Sequence, residues 1–214
     1  MKVREIYPSY TGLIDVGYYA LFINVDKQGV EMPFETLLEK VQPFNNVVLF
    51  GEDTYKQKED MASLVKKSIT KNNNIMFHVH TNGMTRPISI GNFDNVKYYI
   101  SLKMKRDGGY YEERVNPTFV SWFIKILGRF VFSIGNVDDV DEVNMIVQDM
   151  GIPKTQVFLT STATTPELEY ANTEFVLKEA KKFGYNIAPK VCTVMWPDEG
   201  KLKGEQDDEN EEEC

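Results

Sequence analysis

The sequence predicts an α/β fold, a mostly parallel sheet that is open or rolled into a partial (β/α) barrel. Three observations predict it. Short apolar runs recur at intervals and are bounded by polar or turn residues, as buried parallel strands are. Amphipathic stripes of helical period separate them. Capping and stop residues stand where each stripe begins or ends. Strand–helix alternation of this kind implies crossover connections and a parallel sheet.

The elements follow in order. Residues 18–25 (YYALFINV) and 46–50 (NVVLF) are the first strands, with residues 33–41 a helix between them. Met61, Leu64, Val65 and Ile69 form the next helical stripe, led by Glu59 and Asp60 and closed by Lys66, Lys67 and Lys71, an order that suits the helix dipole. Strands are expected at 75–81 and 96–102, a helix at 118–127, and a strand at 130–134. Val140, Val143, Val147 and Met150 then make a stripe behind Asp138 and Asp139, stopped by Gly151. After a strand at 156–159 comes the clearest helix. Thr165 caps it, Pro166 opens its first turn, and Leu168, Ala171, Phe175, Val176, Ala180 and Phe183 share a face before Gly184. Residues 187–195 read as a last strand.

The chain has 214 residues, enough for one domain with its own core, and no apolar run near the ~20 residues that span a bilayer. The segment MKVREIYPSY has no apolar core of a secretory signal. Two cysteines, Cys192 and Cys214, cannot make a disulfide framework or a structural zinc site, so a reducing cytoplasm is the expectation. The net charge is −8, and nine acids against Lys201 and Lys203 from Asp198 onward supply −7 of it. We therefore expect one near-neutral domain over 1–197 and an acidic, disordered tail over 198–214. No membrane partner is expected.

In open parallel sheets ligands bind beyond the carboxyl ends of the strands. Gly51-Glu52-Asp53, Thr81-Asn82-Gly83, Ser101 and Lys103, Gly135-Asn136 and Thr160-Ser161-Thr162 would share such a rim. These are groups for holding a polar small molecule, without an evident nucleophile–base pair, and no catalytic residue is assigned. His78 and His80 fall on one face of their strand by alternation. Two imidazoles and a neighbouring Glu52 or Asp53 could hold zinc, but a structural or rim role is the expectation and no metal site is assigned. Residues 97–114 (KYYISLKMKRDGGYYEER) interleave bases and aromatics, as single-strand nucleic-acid binders do. A near-neutral body opposes that, and a strand running into a Gly108-Gly109 hairpin is the plainer reading. Cys192, in an apolar strand, reads as a buried inert thiol.

Taken in order, these pieces resemble the 7-carboxy-7-deazaguanine synthases of the radical S-adenosylmethionine superfamily. VREIYPSYTG is similar to that family's N-terminal strand and turn, VVLFGED to its strand leading into a GGEP motif, HVHTNG to its ETNG, and YYISLK to its SPK strand. RFVFSIGNVDDVDEV resembles the next strand and helix, and TTPELEYANTEFVLKEAKKFGYNIAPKVCTVMW the last helix and strand. The resemblance implies a partial barrel of the radical S-adenosylmethionine type. It places Gly51, Glu52, Thr81, Asn82, Gly83 and Ser101 at S-adenosylmethionine-binding positions and Lys103 at a substrate-binding one. The departures are as telling. The family holds a four-iron cluster with three cysteines in a long loop after the first barrel strand. Here ALFINV is followed by Asp26-Lys27-Gln28-Gly29 and almost at once by a helix. Thr11 and Leu13 stand where the family has Gln and Glu, Leu102 where it has the Pro of SPK, Asp53 the Pro of GGEP, His80 the Glu of ETNG and Cys192 a His. The resemblance thus implies a catalytically silent relative without an iron–sulfur cluster, acting by binding a protein partner or small ligand, and able to pair as a homodimer. The alternative is a cluster-free enzyme or sensor that binds S-adenosylmethionine or another nucleotide at the rim, with His78 or His80 as acid or base.

Overall fold

The computed structural model describes residues 1–51, 57–88 and 94–195. Glu52, Asp53 and the acidic tail lie outside them. Nine strands form one sheet in the order β3-β1-β2-β4-β5-β6-β7-β8-β9. The strands β1 (Lys2–Tyr10), β2 (Tyr19–Val25) and β3 (Val30–Glu31) are antiparallel, and from β2 onward every pairing is parallel, through β4 (Asn46–Phe50), β5 (Met76–Thr81), β6 (Val96–Ile100), β7 (Arg129–Ile134), β8 (Val157–Ser161) and β9 (Asn186–Ile187).

The helices α1 (Phe34–Val41), α2 (Lys58–Lys71), α4 (Pro117–Lys125), α5 (Val137–Met150) and α6 (Pro166–Phe183) fall where the stripes predict them. Their ends are fixed by side chains. Asn116 accepts from the Phe119 amide, Asn136 from Asp139 and Thr165 from Leu168, while Gly151 and Gly184 take the left-handed conformation that ends α5 and α6. Asn136, expected on the rim, is thereby spent as a cap.

The strand side chains separate by alternation. Ile23, Leu49, Phe77, Ile100, Phe132 and Leu159 join α1, α2, α4, α5 and α6 in one continuous core. The opposite face carries Phe22, Val48, His78, His80 and Tyr99, which line an interior cavity together with Thr164 and Cys192 from the far side of the sheet. The sheet is therefore curled around that interior.

Two expectations fail at the far edge and after β6. The strand expected at 187–195 is only Asn186–Ile187, followed by a short helix, α7 (Val191–Met195). Pro189 lacks the amide a strand ladder needs, and the Val191 amide turns to the Gly12 carbonyl at 2.9 Å. Cys192 consequently sits on a half-exposed helix rather than in a buried strand. Beyond Ile100 there is no hairpin. A 3₁₀ turn (Lys105–Asp107) and a short helix, α3 (Tyr111–Arg114), are joined by Gly108 and Gly109, both at positive φ. Arg106 to Asp139 at 2.6 Å and Arg114 to Glu142 at 2.5 Å pin this segment to α5.

Candidate functional site: a polar floor inside the barrel

The site begins with residues 11–18, which join β1 to β2. The Thr11 hydroxyl donates to the Asp15 carbonyl and accepts from the Tyr18 amide, and the Thr11 carbonyl accepts from Gly17. The winding puts Asp15 at φ 54, a left-handed conformation that Asp tolerates better than most residues. It also carries the Asp15 carboxylate under the amino ends of the parallel strands. There one oxygen, Oδ2, accepts from Lys97 Nζ at 2.7 Å, Arg129 Nη1 at 2.7 Å and the Tyr99 hydroxyl at 2.8 Å. Burial alone would raise this carboxyl, but the hydrogen bonds from Lys97, Arg129 and Tyr99 outweigh it and hold its pKa at about 2.

The network climbs from this floor into the cavity. Tyr99 is 2 % exposed, its phenol is pushed above the ordinary value by burial and then by Asp15, and it keeps its proton. That single proton goes to the carboxylate, so His78 Nδ1, 2.9 Å from the Tyr99 oxygen, must carry a hydrogen and donate. His78 Nε2 lies 3.2 Å from the Asn46 carboxamide, which satisfies it when its NH₂ faces the ring. His80 stacks on Tyr99 with centroids 4.9 Å apart, and its ring nitrogens have no hydrogen bond among the described residues. Burial drives the pKa of both imidazoles down to about 4, so both are neutral at pH 7.

The cavity above this floor measures about 590 Å³. Its second wall is aromatic. Tyr7 and Phe22 stack at 5.4 Å with their planes 7° apart, and Phe50 meets both edge-on. Glu5 lines the cavity from β1 and accepts from the Asn24 amide at 3.3 Å. Thr193 and Cys192 close it from α7, whose approach requires Gly12, where a Cβ would come 2.8 Å from Cys192 Cβ. Among the described residues no group of three or more His, Cys, Asp and Glu is arranged to hold a metal ion. No helix there is long and apolar enough to cross a membrane.

The rim residues expected from the sequence sit elsewhere. Thr81, Asn82, Gly83 and Ser101 do come together at the carboxyl ends of β5 and β6, where the Ser101 amide donates to the Thr81 carbonyl at 2.9 Å. Thr81 accepts from the Gly83 amide and Asn82 from the Met84 amide, so both side chains build the turn. Thr81 faces the helix side, beside Met61 and Phe123. Gly51, at φ +121, packs so closely on β2 that a Cβ would stand 2.4 Å from the Val25 carbonyl oxygen. Ser101 and Lys103 are exposed. None of these lines the interior cavity. Sequence reasoning missed Asp15, Lys97, Tyr99 and Arg129. Alternation along β6 puts Lys97 and Tyr99 in phase with each other and is a usable signal, whereas nothing local to Asp15 announces partners more than 80 residues away.

No protein-family profile matches this chain. A 7-carboxy-7-deazaguanine synthase from Pyrobaculum aerophilum is 33% identical over 67 residues, 31% of this chain and 30% of that protein. The similarity is local. Among solved structures, 2,3-dimethylmalate lyase, a PEP mutase/isocitrate lyase superfamily member, aligns with a TM-score of 0.37 and 11% identity, over 81% of this chain and 78% of its own.

Proposed function

We propose that this chain is a cluster-free relative of the 7-carboxy-7-deazaguanine synthases that works by binding, with a small ligand held in the barrel interior. The observation that carries the proposal is the segment after β2. An iron–sulfur cluster there needs a roomy, cysteine-bearing loop. Residues 26–33 instead turn back at once: the Gln28 amide binds Asp26 Oδ1 at 2.9 Å and the Gly29 amide its carbonyl at 3.0 Å, and β3 pairs with β1. At Gly29 even a methyl group would lie 2.3 Å from the Val3 carbonyl carbon. The segment has no cysteine and no space, so the residues do not fit a cluster, and no step is routed through one. What remains is a walled cavity of a size suited to a small molecule, with fixed polar groups along one side.

Calorimetric titration of 7-carboxy-7-deazaguanine, 7-deazaguanine and S-adenosylmethionine, with iron assayed on the same batch, tests this reading. Binding without iron that is lost when Val48→Phe fills the cavity supports it. Stoichiometric cluster iron overturns it. A second reading is favoured by the Thr81–Ser101 turn, which gathers four of the expected rim residues: S-adenosylmethionine binds there, outside the cavity. In that case Thr81→Val abolishes its binding and Val48→Phe does not. A protein partner would read out the liganded state in either form, and a pull-down with and without ligand checks that.

A further inference from the structure

The inference concerns the charge of the ligand and rests on the reading of the cavity as a ligand site. Two cations stand at the floor, paired in strand register with the residues that wall the cavity: Lys97 with His78 and Arg129 with Tyr99. Yet no lysine or arginine lines the cavity among the described residues. Both cations are turned down onto one carboxylate oxygen of Asp15, each at 2.7 Å. The two histidines on the wall are neutral, and the acidic residue on it is Glu5. An anionic group entering here sheds water and meets no positive partner, a costly exchange. A neutral flat ring meets the His80–Tyr99 face and the Tyr7–Phe22 pair, and finds a donor and an acceptor on the His80 ring.

We propose that Asp15 sets the charge preference of the cavity: by holding Lys97 and Arg129 at the floor, it leaves an interior that takes an uncharged flat ring and turns away the carboxylated form of the same ring. Asp15 is a specificity-determining residue that need not touch the ligand. Removing its charge raises the floor by one positive charge and frees two cations toward the cavity. Removing Lys97 lowers the floor by one.

The test uses the full chain and a matched pair of probes, indole and indole-3-carboxylate, with affinities measured by calorimetry and occupancy of the cavity followed through the His80 ring signals in NMR spectra. The wild type is expected to bind indole about tenfold or more tightly than the carboxylate. Asp15→Asn, whose side chain also tolerates the left-handed backbone, is expected to bring the carboxylate level with indole or above it. Lys97→Gln, at a more exposed position that keeps the fold secure, is expected to widen the preference for indole. A wild type that favours the carboxylate, or a ratio unmoved by Asp15→Asn and Lys97→Gln, overturns the proposal while leaving the cavity a ligand site. Absence of binding by either probe, with the His80 signals unmoved, removes the cavity reading itself and this proposal with it.

Discussion

The amino-end floor and the carboxyl-end rim of the same sheet are built on opposite plans. At the floor, Asp15, Lys97, Arg129, Tyr99 and His78 are tied side chain to side chain within a few ångströms, and Tyr99 and His78 are each 2 % exposed. At the rim, Thr81 and Asn82 bond to backbone amides, and Ser101 and Lys103 stand in solvent. The rim spends its polar groups on shaping a turn. The floor spends them on each other, where burial makes every one of them consequential. Polar residues at the carboxyl ends of these strands are thus a poor guide to where this sheet concentrates its buried polar network.

Acid separates the two regions most widely. His78 is neutral down to about pH 4 in the fold but takes a proton near 6.5 when unfolded. Its stabilising contribution is therefore complete above pH 6.5 and is lost progressively as pH falls through 6.5 toward 4, a loss of about 3 kcal/mol. His80 adds to it in the same window, and Asp15 extends the loss from its ordinary 3.8 down to about 2. Urea unfolding at pH 7, 5 and 4 checks this, and His78→Gln should flatten the slope. A flat profile in the wild type would mean that the floor is wetter than the geometry shows.

Tyr99→Phe is the next largest. It leaves His78 Nδ1 and one acceptor direction of Asp15 without their partner and should cost about 2 kcal/mol by chemical denaturation. Gly83→Ala probes the backbone of the rim. At φ +73 the new methyl would come 2.7 Å from Leu102 Cδ2, and a cost of about 1–2 kcal/mol is expected in thermal melts. Lys103→Ala is the smallest, within about 0.5 kcal/mol, since its side chain is exposed. A larger effect there would show that the rim is as coupled as the floor.

How much of this was legible beforehand divides along the same line. Elements with local causes were readable: Thr165-Pro166 to Gly184 for α6, Asp138 to Gly151 for α5, and the apolar runs of β2 and β4. The histidines were correctly placed on one face by alternation. What the sequence concealed was set by distant partners. Asp15 acquires its role only when a hairpin carries it beneath β6 and β7, and Cys192 leaves its expected strand because Gly12 offers a carbonyl and a gap. The tight turn after β2 was visible because Asp26-Lys27-Gln28-Gly29 is a local signal.

The Gly12–Val191 contact also bears on how the protein folds. It joins residues about 180 apart in sequence, so closing it costs more chain entropy than forming the local strand–helix units, and α7 is expected to dock onto the hairpin after them. The cavity wall that Cys192 and Thr193 supply is complete only after that docking. A partly opened chain can therefore hold most of its secondary structure before this wall of the cavity is in place.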